Sequence, residues 1–348
     1  MFDNTEHTNI SKLGEFGLIN HISKSFETKN SKVIKGIGDD AAVIDIGDSY
    51  MLITTDMLTE GVHFDMVYSP MKHLGYKAVA VNLSDIYAMN GNPTYITVSI
   101  AMSSKFTLEA IEELYEGIKL ACTNYKVDLI GGDTVSSHHG MTISITAVGY
   151  VEKKNIAYRS GAKEFDLICV SGDLGAAYLG LQLLEREKAM FKENPNVQPD
   201  LQGYDYLLER QLKPEPRKDV IQLLHSNGII PTSMIDISDG LSSELLHICK
   251  ESNVGCDVYV EKIPVDHLTT TAAELFNMDA TTCALNGGED YELLFTVKQA
   301  DFEIIKKLKG IHIIGHITSD KMNARLINQV NEASAITAFG WDAFKNVE

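Results

Sequence analysis

Five short motifs constrain this 348-residue chain more than any other feature, each placing aspartate beside glycine, serine or threonine at or near the end of an apolar run. They are GIGDD (Gly36–Asp40), TTD (Thr54–Asp56), NLSD (Asn82–Asp85), GGD (Gly131–Asp133) and DISDG (Asp236–Gly240). Apolar runs become strands or helices, so each carboxylate is held rigidly at the edge of an element. Carboxylates clustered without cationic partners repel each other, and such a cluster implies bound divalent cations. Hard oxygen donors favour Mg²⁺, Mn²⁺ or Ca²⁺ over zinc, and Mg²⁺ commonly completes its shell with water and substrate phosphates. The motifs read as a phosphate-handling enzyme.

The length allows two domains of ordinary size. A hydrophobic content of 44% with 22% charged residues describes a soluble globular protein. The net charge of −18 argues against nucleic acid and against anionic membrane surfaces, both of which would be repelled. Cys122, Cys169, Cys249, Cys256 and Cys283 are odd in number and show no CxxC pairing. A zinc site or disulfide framework is therefore not expected, and a reducing cytoplasm fits best. The polar start MFDNTEHTNI does not read as a signal peptide, and no run of eighteen apolar residues predicts a membrane span.

Helical spacing of apolar residues predicts helices over 12–30, 72–89 and 108–124. Strands are predicted over 41–46, 51–55, 95–102 and 141–151, with a short one ending at Gly131-Gly132-Asp133. This order suggests helices packed on one face of a sheet. The alternation in Thr142–Val148 leaves the other face free to meet a partner. The polar segment 157–164 marks a domain boundary, dividing the chain into 1–155 and 156–348. The second half reads as strands at 166–171, 257–261, 291–297 and 311–317. Its helices are placed at 174–188, 204–212, 216–227 and 241–252, with Asp239 as N-cap of the last. Residues 191–205, rich in Pro, Asn and Gln, form a surface excursion.

Several familiar readings fail. GIGDDAA contains G-x-G-x-x-A, but a strand, turn and strand follow it, where a dinucleotide fingerprint needs a helix. Neither a P-loop nor the protein-kinase motif set occurs, and there is no G-x-S-x-G elbow. DISDG cannot open an EF-hand, because His247 stands where the bidentate Glu would fall. Taken singly, each aspartate has a structural explanation as a cap, a strand end or a solvated helix face. Asp85 fits that explanation least, since Leu83, Ile86 and Met89 put it close to an apolar surface. His63 could be an ordinary core or surface histidine, and Arg159 could pair with a surface acid. The glycines before Glu289 permit close ligand approach or merely a tight turn.

Together GEFGLI, GIGDDAAV, TTDMLTEGVHF, KAVAVNLSDIYAMNGNP, LIGGDT, YRSGAK, DISDGLSSEL, GGEDYELLF and GWDAF resemble one family, from about Glu15 to Phe344. That family is thiamine-monophosphate kinase, within the aminoimidazole ribonucleotide synthetase-like superfamily. The resemblance implies a two-domain α/β (α+β) fold, with an N-terminal ATP- and Mg²⁺-binding domain that dimerises through its sheet. A C-terminal α/β domain would close over the ligands. It implies a metal set of Asp40, Thr54, Thr55, Asp56, Asp85, Asp133, Asp236 and Asp239. Tyr115, Gly132, Asp133, Arg159 and Ser238 are implied nucleotide contacts, and His63, Glu289 and Trp341 implied substrate contacts. The implied reaction is ATP-dependent phosphorylation of thiamine monophosphate by a cytoplasmic homodimer. Because the acceptor is an anionic phosphate oxygen, positioning and charge neutralisation matter more than a general base. The rival readings are a synthetase of the same superfamily, or a metal- and nucleotide-binding regulatory module without turnover.

Overall fold

Along Thr142–Glu152, side chains alternate between buried and half-exposed, as they must when one face of a strand covers a core. That strand sits inside the first of two sheets in the computed structural model, which describes residues 9–196 and 198–338. The first unit contains α1 (Gly14–Ser23), β1 (Val33–Lys35), β2 (Ala42–Asp45), β3 (Ser49–Thr59), α2 (Met71–Ala88), β4 (Asn92–Met102), α3 (Leu108–Tyr125), β5 (Asp128–Ser136) and β6 (Thr142–Glu152). Its strand order is β1-β2-β3-β6-β4-β5, antiparallel throughout except between β4 and β5. Helix α2 lies against β3, β4 and β6, and α3 packs on α2. The helices thus cover one face of the sheet, as the sequence pattern predicts.

The second unit begins with β7 (Leu167–Ser171), α4 (Ala176–Glu193), α5 (Asp205–Leu212), α6 (Lys218–Ser226), β8 (Ser233–Asp236) and α7 (Leu241–Ser252). It continues through β9 (Gly255–Tyr259), α8 (His267–Leu275), α9 (Ala280–Asn286), β10 (Leu293–Val297), α10 (Phe302–Ile305), β11 (Ile311–Thr318), β12 (Ala324–Ile327) and β13 (Ala333–Ala335). These strands form a sheet in the order β13-β12-β9-β11-β7-β10-β8. One hydrophobic core runs from the first unit into the second, joining Leu83 and Ile86 of α2 to Val220, Ile221, Met234 and Phe295. Among the described residues, no helix is long and apolar enough to cross a membrane.

Several expectations are corrected. The first helix ends at Ser23 instead of reaching residue 30, because its apolar residues find no core: Phe16 is 38%, Ile22 45% and Phe26 70% exposed. Strands β1, β8, β12 and β13, each of three or four residues, were too short to register a period. Asp239 does not cap α7: Gly240 occupies that position at φ +117°, and the Asp239 N–H donates to Glu244 Oε1 at 2.9 Å.

Helices α2 and α3 approach so closely that only glycine fits at their crossing. A Cβ on Gly117 would lie 1.9 Å from the Lys72 carbonyl oxygen, and one on Gly75 2.0 Å from that of Leu114. Backbone atoms cannot swing aside, so Gly117→Ala must push the helices apart. We expect it to destabilise the protein by about 1–3 kcal/mol or more, the usual range for overpacking, read as a lower midpoint in urea titration.

Candidate metal and phosphate site

Strand alternation aims Thr54 and Asp56 of β3 toward α2, while Thr55 turns to the open face. There the Thr55 hydroxyl donates to the Ile145 carbonyl of β6 at 3.1 Å. Thr54 donates instead to Asp85 Oδ2 at 2.5 Å, and the Asp56 N–H donates to Asn82 Oδ1 at 2.9 Å. Asp85 and Asn82 both belong to α2, so two short bonds fix the helix against the strand. One residue earlier on α2, the Ser84 hydroxyl donates to Asp236 Oδ2 at 2.5 Å, tying α2 to the end of β8. Asp40 enters from the loop before β2.

These elements bring carboxylate oxygens of Asp40, Asp85 and Asp236 within 4.8 Å of one another. Asp40 and Asp236 are only 7% and 4% exposed. Arg159 opposes this negative charge, donating to Asp40 Oδ1 from Nε at 3.1 Å and from its terminal nitrogen at 2.6 Å. Asp40 Oδ2 is buried without a hydrogen-bond donor among the described residues. Burial raises the Asp40 carboxyl despite Arg159. Burial and then Asp40 push Asp56 up to about 6, and the same two causes push Asp236 up to about 7. Asp85 stands well above the ordinary carboxylate range through burial, then Asp56, Asp236 and Asp40, with the Thr54 bond opposing. An all-oxygen, mutually repelling set with an orphaned buried oxygen fits a hard divalent cation.

The DISDG and GGED loops are zipped together by backbone. The Glu289 N–H donates to the Ser238 carbonyl at 2.7 Å, and the Tyr291 N–H to that of Ile237 at 2.9 Å. Gly288 permits this contact: its φ is +71°, and a Cβ there would lie 2.6 Å from the Ser238 oxygen. Glu289 itself adopts φ +58° and pairs with Lys77 of α2 at 2.9 Å. His63 Nδ1 accepts the Thr59 N–H at 3.1 Å, which leaves the proton of the neutral ring on Nε2. Burial lowers the His63 pKa, and neighbouring Glu289 opposes that effect.

Asp133 and Gly132 lie apart from that cluster. Asp133 is exposed on edge strand β5, and its register row runs through Ser99 and Ser144 to Met57. Three inter-strand spacings of about 4.8 Å therefore separate it from β3. Gly132 sits beside it, where a Cβ would meet the Val98 oxygen at 1.9 Å. Tyr115 packs half-buried on the first core, and Ser238 is exposed. Trp341 and the GWDAF segment lie outside the described residues.

The sequence pattern missed Lys77, Asn82, Ser84 and Tyr291. Tyr291 is buried, and its phenol is raised well above the ordinary range by burial and then by Glu289, Asp56, Asp236 and Asp239. Asn82 and Ser84 stand inside the NLSD motif and Tyr291 inside GGEDYELLF, and Lys77 is marked as a lysine in an apolar stretch of α2.

The architecture and its acidic centre define a protein of the AIR synthase-related class. The family described as AIR synthase related protein, N-terminal domain, matches residues 38–151. Thiamine-monophosphate kinase of Buchnera aphidicola subsp. Schizaphis graminum is 41% identical, covering 90% of this chain and 94% of that protein. The enzyme of that name from Bacillus subtilis is 34% identical over 96% of this chain and all of its own length. A solved structure described as AaThiL complexed with AMPPCP and TMP superposes with a TM-score of 0.83 at 31% identity, covering 97% of this chain and all of that one. The chain belongs to the thiamine-monophosphate kinase family.

The raised carboxylates set a pH dependence. An unfolded Asp titrates near about 3.9, so folded Asp56 and Asp236 bind their protons more tightly than the unfolded chain does. Their stabilising contribution is complete below about pH 4 and is lost as pH rises through about 6 to 7. We expect the metal-free thermal midpoint to fall between about pH 5 and 7.5, and Mg²⁺ to restore it at the upper end. Saturation at a hundredfold over Kd corresponds to about 2.7 kcal/mol. Asp85→Asn should raise the metal-free midpoint at neutral pH and abolish most of the Mg²⁺ increment; differential scanning calorimetry reads both.

Proposed function

We propose that this protein transfers the terminal phosphoryl group of ATP to thiamine monophosphate, giving thiamine diphosphate and ADP. The observation that carries this reading is the convergence of Asp40, Asp85 and Asp236 in a chain of the thiamine-monophosphate kinase family. A Mg²⁺ ion held by these carboxylates would supply positive charge that offsets the repulsion between the two phosphate groups. The protein's own contribution is to hold the acidic side chains in place and to orient both substrates in line. Asp40, Asp85 and Asp236 would be the central ligands, with Asp56, Asp239 and Thr54 beside them. Thr55 and Asp133 would serve a more distant part of the nucleotide site. The acceptor oxygen is already anionic, so the chain needs no base to deprotonate it.

Gly132, Asp133, Arg159, Ser238 and Tyr115 would contact the nucleotide. Arg159 already spends a two-pronged contact on Asp40, so its role includes orienting that carboxylate. His63, Glu289 and Trp341 would contact thiamine monophosphate. With its proton on Nε2, His63 offers a hydrogen-bond donor. Residues 1–155 would carry most of the metal ligands and form a homodimer through the open sheet face, with 156–348 closing over the ligands. The half-exposed alternate positions of β6 support that use of the face. Five free cysteines support a cytoplasmic location.

Incubation with ATP, Mg²⁺ and thiamine monophosphate should yield thiamine diphosphate by mass, with ADP release that depends on the acceptor. ADP release without the diphosphate product would overturn the proposal. Asp85→Asn should retain its circular dichroism spectrum and lose roughly a hundredfold or more in kcat, the order seen when one preorganised charge-stabilising group is removed.

A further inference from the structure

Lys77 lies in the middle of α2 and is only 3% exposed. A buried ammonium costs several kcal/mol unless it is well paired, so its partners indicate what it is for. Its Nζ donates to Glu289 Oε2 at 2.9 Å and to the Gln211 backbone carbonyl at 3.1 Å. Gln211, at the end of α5 and 4% exposed, turns its side-chain Nε2 onto the same Glu289 oxygen at 2.7 Å. Both donors therefore hold Oε2, and among the described residues no hydrogen bond ends on Oε1. The Glu289 side chain remains 25% exposed. Its backbone sits at φ +58°, a conformation that costs of order 1–3 kcal/mol for a non-glycine residue and persists only when its surroundings enforce it. Lys77 and Glu289 both act electrostatically on His63, so the three residues form one polar group where the two units meet.

We propose that Lys77 is a positioning residue for the acceptor substrate. With Gln211 it clamps one oxygen of Glu289 and leaves the other for a hydrogen-bond donor on the ligand. This rests on the reading of Glu289 as a substrate contact. Lys77 acts through Glu289 and does not touch the substrate. The clamp also spans the units, because the lysine belongs to α2 while Glu289 and Gln211 belong to the second unit. Affinity for the acceptor is thereby coupled to the seating of one unit on the other.

The test is a double-mutant cycle of Lys77→Met and Glu289→Gln on the full-length enzyme, with KM measured separately for thiamine monophosphate and ATP. Lys77→Met should raise the KM for thiamine monophosphate about tenfold or more, with the KM for ATP changed less than about twofold. The double variant should be little worse than Glu289→Gln alone, because both changes remove one function. If Lys77→Met fails to fold, Gln211→Leu removes the other donor and should shift the same KM in the same direction. An unchanged acceptor KM in Lys77→Met, equal shifts in both KM values, or multiplicative effects in the double variant would each overturn the proposal. Glu289→Gln separates the two readings. If it leaves the acceptor KM unchanged, the assignment of Glu289 is wrong, whereas a raised KM there beside a normal Lys77→Met removes the lysine's role alone.

Discussion

Three carboxylates that repel one another, gathered where water is largely excluded, set the terms for the rest of this structure. Asp40, Asp85 and Asp236 come from a loop, a helix and a strand end that lie far apart along the chain. Holding them together requires specific restraint: Thr54 on Asp85, Ser84 on Asp236 and the Arg159 guanidinium on Asp40. One guanidinium does not balance the set, and the raised carboxyls record the imbalance. A protein built this way links the charge state of its acidic centre to the stability of its fold.

Helix α2 is the element that makes the arrangement possible. Fifteen of its 18 residues are buried, so it has no solvent face on which to place polar side chains. Four of its polar residues each meet a defined partner. Lys77 meets Glu289, Asn82 meets the Asp56 N–H, Ser84 meets Asp236 and Asp85 meets Thr54. Two of these partners lie in the first unit and two in the second. The helix therefore registers the two halves against each other, and the glycine crossing with α3 fixes its depth.

Much of this was legible in advance. Long periodic segments such as those of α3 and β6 announced themselves, because an amphipathic or alternating pattern is a direct imprint of a buried face. Short buried strands did not: β8 has four residues, all buried, too few to show a period, and it ends on the first residue of DISDG. The cap of α7 was misassigned because Asp239 precedes Gly240 in a pattern that usually caps through the acidic side chain. Here the glycine takes φ +117°, and the Asp239 N–H turns to Glu244. Thr55 entered the implied metal set with Thr54 through the family resemblance, and β3 turns the two to opposite faces.

The amino-acid sequence alone determined the class of fold, the acidic motifs and the family that those motifs specify, because short-range pattern and residue chemistry are encoded locally. Tertiary structure decided which aspartates share a site. It gathered Asp40, Asp85 and Asp236 and held Asp133 on an exposed edge three strands from β3. It also recruited Lys77, which sequence shows only as one cation in an apolar run. Distances between residues far apart in the chain follow from strand order and helix seating, and no local pattern records them.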